Sequence, residues 1–193
     1  SGPAYVMRAA GPADLKGFLQ LREIAGAGFT SLMLDDKAMA EKLALSERSF
    51  ASTSDAAGNE RYFIALEHLE TGAIAGCCGV KSTIGEKPPF FNFRLITEAQ
   101  SCAVVDRRFD MNVLIGVNDF TGCSEVGSLF LRPEHRASGV GRSLAQNRYV
   151  LMAAQPKRFR EQVVSELRGV VSPDGVSPFW EAVGRHFFHM DFA

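Results

Sequence analysis

The chain has 193 residues, 46% of them hydrophobic and 22% charged, with 21 Lys+Arg against 22 Asp+Glu. These proportions are those of ordinary globular domains and exclude a disordered, collagen-like or disulfide-scaffold chain. A net charge of −1 gives no basis for nucleic acid or an anionic membrane as the main partner. No apolar run reaches the ~20 residues that cross a bilayer, and no signal peptide is visible at the start. Ser1-Gly2-Pro3 carries no functional weight. The four cysteines, Cys77, Cys78, Cys102 and Cys123, lack CxxC pairing. The expectation is therefore a reduced, cytoplasmic protein with no metal site.

In chain order, Tyr5-Val6-Met7-Arg8 reads as a short strand, and Gly11-Pro12-Ala13-Asp14 starts a helix with Leu15, Phe18, Leu19 and Leu21 or Arg22 near helical spacing. Gly26-Ala27-Gly28-Phe29-Thr30-Ser31 is a loop. Asp35 or Asp36 caps a second helix through about Phe50, with Met39, Leu43, Leu45 and Phe50 as its apolar face. Ser52 to Glu60 is a polar connection. Tyr62–Glu67 and Ala73–Val80 then form a hairpin about Glu70-Thr71-Gly72.

After a loop at Gly85–Pro89, Phe91–Ile96 is extended. Val113–Val117 and Val126–Leu131 are short apolar runs expected to be buried strands. The period turns helical after Gly141, where Leu144, Tyr149, Leu151 and Met152 fall on neighbouring faces. Val163–Val170 is expected as a further strand, and Pro178–Phe188 as a helix whose start, Phe179 and Trp180, is anchored in the core. Strands alternating with helices favour an α/β sheet with helices on its faces.

Chemistry concentrates in the stretch from Glu125 to Leu144: a strand, a turn at Pro133, a glycine-containing loop and a helix. In Arg136-x-x-Gly139-x-Gly141 the glycines remove Cβ atoms that would keep the backbone from a phosphate. The first N–H groups of the helix have no intrahelical partner and form an anion site, with Arg136 and Arg142 adding charge. Two glycines late in the chain do not make the three-glycine dinucleotide fingerprint. Gly141 followed by Arg142-Ser143 is not a P-loop either. A pyrophosphate cradle and a plain glycine turn into a helix both fit the spacing.

Strand–Arg-x-x-Gly-x-Gly–helix resembles the acyl-CoA-binding motif of the GNAT superfamily of N-acyltransferases. The chain is also similar to the arginine N-succinyltransferase family in several segments: Gly28–Leu32, Pro89–Arg94, Asn118–Gly122, Ser128–Leu131, Glu166–Val170 and Ser177 through Phe192. The resemblance implies an α/β fold, a GNAT-like mixed, mostly antiparallel sheet flanked by helices, with residues 1–193 as a single acyl-CoA-binding domain. It implies transfer of succinyl from succinyl-CoA, as co-substrate, to the α-amine of L-arginine. Family members continue past this point with a second portion that holds the proton-donor histidine, and no residue here matches it. This chain is then an N-terminal portion, a cleavage product or a shortened relative, with a homo- or hetero-oligomer or the further portion as partner. A GNAT enzyme for another amine, and a non-catalytic CoA-binding subunit, are the rival readings.

Within that resemblance Leu129, Phe130, Leu131, Arg136, Gly139, Val140, Gly141 and Arg142 bind the acyl-CoA, Leu129 through its main chain. Glu125 is expected to relay a proton or face the substrate amine, against the plainer role of a solvated strand-end carboxylate. Asp119 is a candidate for the substrate guanidinium and Arg94 for the succinyl carboxylate. For Asp119 the alternative is ordinary turn chemistry; for Arg94, an ion pair. Cys77 and Cys78 are expected to be small buried hydrophobes, His135 an exposed loop residue, and His186 and His189 packing or surface residues.

Overall fold

The computed structural model describes residues 4–26, 29–136, 139–172 and 174–192. Ser1-Gly2-Pro3, Gly28 of the loop and its family-like segment, and Ala137-Ser138 inside the glycine loop lie outside the described residues. A five-stranded sheet runs in the order β1 (Tyr5–Ala9), β2 (Arg61–His68), β3 (Ala73–Lys81), β6 (Ser124–Leu131), β7 (Val163–Val164). Its first three pairings are antiparallel and the last is parallel. Helices α1 (Leu15–Ala25) and α2 (Asp36–Ala51) cover one face, and α3 (Val140–Ala154) packs on the other. This is the mixed, mostly antiparallel sheet flanked by helices that the family resemblance implies.

Asp35 is the cap of α2, its Oδ1 accepting from the Ala38 N–H at 2.7 Å. The face of α2 differs from the expected one. Met39 and Leu43 are buried, but Ser46 and Ser49 join them rather than Leu45. The reason lies at the edge of β2, where β1 has ended. Ser46 Oγ accepts from the Phe63 N–H at 2.9 Å and Ser49 Oγ from the Arg61 N–H at 2.9 Å, so two serines satisfy backbone donors that would otherwise be buried unpaired. Apolar side chains there would leave those donors orphaned.

Three sequence expectations are corrected. Phe91–Ile96 and Val113–Val117 do not enter the sheet. They pair with each other as the longer β4 (Asn92–Cys102) and β5 (Arg107–Val117), a two-stranded ribbon in register from Asn92↔Val117 to Cys102↔Arg107. With no third strand it buries little, and Phe93 and Leu95 stay 61% and 66% exposed. The strand expected over Val163–Val170 stops at Val164, because only Ser124↔Val163 and Glu125↔Val164 are paired; beyond Glu125 the two strands diverge. The helix from Pro178 is interrupted by a π-helical turn at Trp180–Gly184 before α4 (Arg185–Phe188). Trp180 is not in the core. Its ring stacks on Phe188 at 5.6 Å and its Nε1 donates to the Met190 carbonyl at 3.0 Å, while Phe179 is exposed.

Gly76, in the middle of β3, sets the spacing to β6. A Cβ there would lie 2.5 Å from the Phe130 carbonyl oxygen, a backbone atom that cannot swing away. Gly76→Ala is expected to lower stability by about 1–3 kcal/mol through overpacking. Urea unfolding checks this, and an unchanged midpoint would show that β3 and β6 can separate freely.

Candidate acyl-CoA site

The site begins with a mismatch between β3 and β6. Cys77 pairs with Phe130 and Gly79 with Gly127, so Ser128 and Leu129 together face the single residue Cys78. This is a β-bulge, which unpairs residues and bends the strand. Ser128 adopts φ +51, a left-handed conformation that costs a non-glycine residue about 1–2 kcal/mol. The distortion frees Leu129 from the ladder and turns it to the surface. Leu129, Phe130 and Leu131 line a cleft of about 680 Å³ together with Ala25, Phe29, Arg136, Gly139, Gly141 and Arg142.

Across the cleft lies the start of α3. Gly139 is its N-cap with φ +83, a conformation glycine adopts freely. The first helical bond runs from the Ser143 N–H to the Gly139 carbonyl at 2.9 Å, so the N–H groups of Val140, Gly141 and Arg142 have no intrahelical acceptor. Gly141 is informative because nothing in the chain requires it. A Cβ there would make only an ordinary 3.5 Å contact with Leu131. The space it leaves open is cleft, where a phosphate can approach the helix N-terminus.

Arg142 is exposed and makes no ion pair among the described residues. Arg136 braces the loop instead, its Nε donating to the Leu131 carbonyl at 3.0 Å. Val140 is partly buried, its side chain packed against the core cluster that includes Leu131 and Leu144.

Glu125 is not a solvated strand-end carboxylate. It is buried, and its Oε2 accepts from Lys81 Nζ at 2.8 Å. Its Oε1 stands 3.3 Å from the point a Cβ on Gly127 would occupy, so the missing side chain of Gly127 leaves that oxygen open toward the bulge. Arg94 and Asp119 pair with each other, Arg94 Nη2 and Nε both donating to Asp119 Oδ2 at 2.7 and 3.0 Å. The ion-pair alternative is the arrangement found, on the surface of the ribbon. Cys77 and Cys78 are fully buried, and desolvation pushes both thiols up to about 12. His135 is half-buried rather than exposed, with its Nδ1 2.9 Å from Tyr5 Oη. His186 and His189 lie on the surface. Among the described residues no group of three or more His, Cys, Asp or Glu is placed to hold a metal ion, and no helix is long and apolar enough to cross a membrane.

Lys42 is the residue the sequence reading missed. It follows Met39 by three positions and precedes Ser46 by four, which puts it beside the buried stripe of α2. Its Nζ donates to the Ser31 carbonyl at 2.7 Å and lies 4.2 Å above the Phe63 ring. That bond ties down the loop whose Phe29 packs edge-on against Phe130 at 5.4 Å and walls the cleft. Desolvation lowers its pKa from the ordinary 10.5 to about 8, with Cys77 and Glu125 opposing and Lys81 lowering it further.

Bulged strand, glycine turn and free helix N-terminus, with β6 paired to its parallel neighbour over two residues only, are the features of a GNAT-like fold. The loading GNATL domain of CurA from Lyngbya majuscula shares it, with a TM-score of 0.52 over 91% of this chain and 70% of that one at 14% identity. A family model described as arginine N-succinyltransferase beta subunit matches residues 5–193. An arginine N-succinyltransferase of Salmonella schwarzengrund (strain CVM19633) is 36% identical over 190 residues, which is 97% of this chain and 54% of that protein. The solved arginine/ornithine succinyltransferase subunit AI from Pseudomonas aeruginosa superposes with a TM-score of 0.91 at 34% identity, over 98% of this chain and 58% of that one. The chain belongs to the arginine N-succinyltransferase family. It spans about half the length of the curated relatives it matches.

Two predictions follow from this geometry. Gly141→Ala gains about 0.5–1 kcal/mol of helix stability but weakens CoA binding roughly tenfold or more, about 1.4 kcal/mol; calorimetry and thermal unfolding on the same samples check the pair. For Lys42 the folded pKa, about 8, lies below the unfolded one. Between them the unfolded chain binds more protons, so this residue makes stability rise with pH from about 8 upward. Above about pH 9 the buried thiols act in the opposite sense, because their folded pKa values lie above the unfolded ones. Lys42→Met is expected to remove the rise between pH 8 and 9 and leave the later fall; urea unfolding against pH reads both.

Proposed function

We propose that this chain is the acyl-CoA-binding portion of an arginine N-succinyltransferase, passing succinyl from succinyl-CoA to the α-amine of L-arginine. The observation that carries the reading is the meeting of the bulged Leu129 with Gly139, Gly141 and Arg142 in one cleft. The helix N-terminus and Arg142 would hold the pyrophosphate, which brings the thioester toward the bulge. Attack by the amine builds negative charge on the thioester oxygen, and a main-chain N–H preset at the bulge stabilises it without reorganisation. By the same reading it is a cytoplasmic enzyme of arginine breakdown.

The attacking amine has to be neutral, and a free α-ammonium loses its proton only near pH 8. Glu125 supports this step in the proposal: Lys81 fixes one oxygen, and Oε1 is left open to accept from the amine. Glu125→Gln should then lower kcat about 10²-fold with KM for the acyl-CoA unchanged. An equal rise in KM alone would assign Glu125 to binding.

The exposed ribbon supports a further polypeptide as partner. Phe93, Leu95, Phe109, Met111, Leu114 and Ile115 are all exposed on it, an apolar surface of the kind that marks an interface. The relatives' additional length is the natural cover. Light scattering should find the chain associated, and a monodisperse monomer at high concentration would contradict this part.

The test of the activity is release of CoA thiol with L-arginine and succinyl-CoA, acetyl-CoA running in parallel, together with calorimetric titration of CoA. Turnover selective for succinyl-CoA and arginine supports the whole reading. Binding without turnover assigns the chain to a CoA-binding subunit whose chemistry is completed elsewhere. Absence of CoA binding overturns it.

A further inference from the structure

Cys77 lies on β3 opposite Phe130, fully buried, and is not among the residues that line the cleft. It nonetheless touches the cleft's most distorted feature. Its Sγ donates to the Ser128 carbonyl oxygen at 3.4 Å. That carbonyl belongs to the peptide unit joining Ser128 to Leu129, inside the bulge. In a trans peptide the carbonyl and the amide N–H point in opposite directions. A thiol that fixes the Ser128 carbonyl therefore also fixes the Leu129 N–H, and directs it away from Cys77. Leu129 has no partner on β3 and lines the cleft, so an N–H so directed is left for a ligand.

Two further observations support the bond. Ser128 is held at φ +51, where the backbone gains by rotating back unless something retains it. Desolvation, with Cys78 adding to it, pushes the Cys77 thiol up to about 12. The S–H is thus present as a donor at every pH at which an acyltransferase works, and Cys77 is not a nucleophile. Gly79 completes the arrangement, since a Cβ there would stand 3.4 Å from both Cβ and Oγ of Ser128, so β3 approaches the bulge closely.

We propose that Cys77 is a positioning residue: its thiol holds the Ser128–Leu129 peptide so that the Leu129 N–H faces the cleft, ready to donate to the carbonyl oxygen of a bound acyl thioester. The inference rests on the acyl-CoA reading above and adds the side chain on which the main-chain donor depends. The amide bonds the thioester oxygen in the ground state and more strongly as charge builds there. Loss of the thiol should therefore affect the acyl group and spare the CoA moiety.

The test uses the whole 193-residue chain, labelled with ¹⁵N and titrated with CoA and then with succinyl-CoA. The Leu129 amide is followed by NMR and dissociation constants by calorimetry. In the unsubstituted protein the Leu129 proton should move downfield with the thioester and hardly at all with CoA. Cys77→Ala should cut that response about fivefold while CoA affinity stays within about twofold, since only the donor to the acyl oxygen is disturbed. Cys77→Ser, which retains a donor, should restore it. Cys77→Val fills the buried volume without a donor and replaces the alanine variant if that one fails to fold. Where turnover is measured, kcat should fall roughly tenfold in Cys77→Ala, with a smaller rise in KM for succinyl-CoA, because the donor counts more in the transition state than in the ground state. A full Leu129 response in Cys77→Ala or Cys77→Val, with the ligand bound, overturns the positioning role and leaves the acyl-CoA reading intact. Failure of the unsubstituted protein to bind either ligand overturns the acyl-CoA reading and this inference with it.

Discussion

One extra residue in β6 shapes the site. Because Ser128 and Leu129 together oppose Cys78, the strand leaves the ladder where a backbone donor is useful and bends away from β7 after Glu125. A straight strand would pair on both edges, bury Leu129 and leave no cleft. The glycines make the distortion possible. Gly76 lets β6 approach within a distance no Cβ would allow, and Gly79 and Gly127 face each other across the seam just before the bulge. The same strand leads through Pro133 into the turn at Gly139, so the unpaired residue and the helix N-terminus come from one continuous stretch of chain and line the same cleft.

The face of the sheet under α2 carries charge. Lys42, Lys81, Arg61 and Glu125 lie close enough to perturb one another, and burial lowers the pKa values of both Lys42 and Arg61. A buried ion pair contributes little to stability unless its geometry is good. The pair of Lys81 and Glu125 is buried on the carboxylate side only: the lysine stays 44% exposed and reaches one carboxylate oxygen at 2.8 Å. Lys42 spends its proton on the Ser31 carbonyl and so couples this charged face to the loop that walls the cleft. Burial of charge and shaping of the cleft thus share the same residues, which is where local rules and global fold are expected to conflict.

The first hairpin, both early helices, the glycine turn and the long helix after it were legible because each carries its own local signal: alternation, a cap, or a glycine before a helical period. What the sequence concealed depends on partners. The β4–β5 ribbon has the apolar content of buried strands, and only the absence of a third strand makes it exposed. Val163–Val170 has strand composition throughout, but its neighbour diverges after two residues. Ser46 and Ser49 look like surface residues until the open edge of β2 supplies their donors. Lys42 was hidden for the same reason, as a lysine whose acceptor is a carbonyl eleven residues away in a loop. In the glycine motif the residue types and spacing pointed to the site, but the single-residue slip that creates the bulge has no signature beyond Gly127 and Ser128 themselves.

In the proposed complex a CoA pyrophosphate sits on the first turn of α3 with its thioester arm directed to the bulge in β6. A crystal structure of the chain soaked with CoA tests it most directly. Phosphate density is expected against the N–H groups of Val140 to Arg142, with the pantetheine arm running along the open edge of β6 toward Leu129. Phosphate density at any other surface, with the α3 N-terminus holding only solvent, would contradict it.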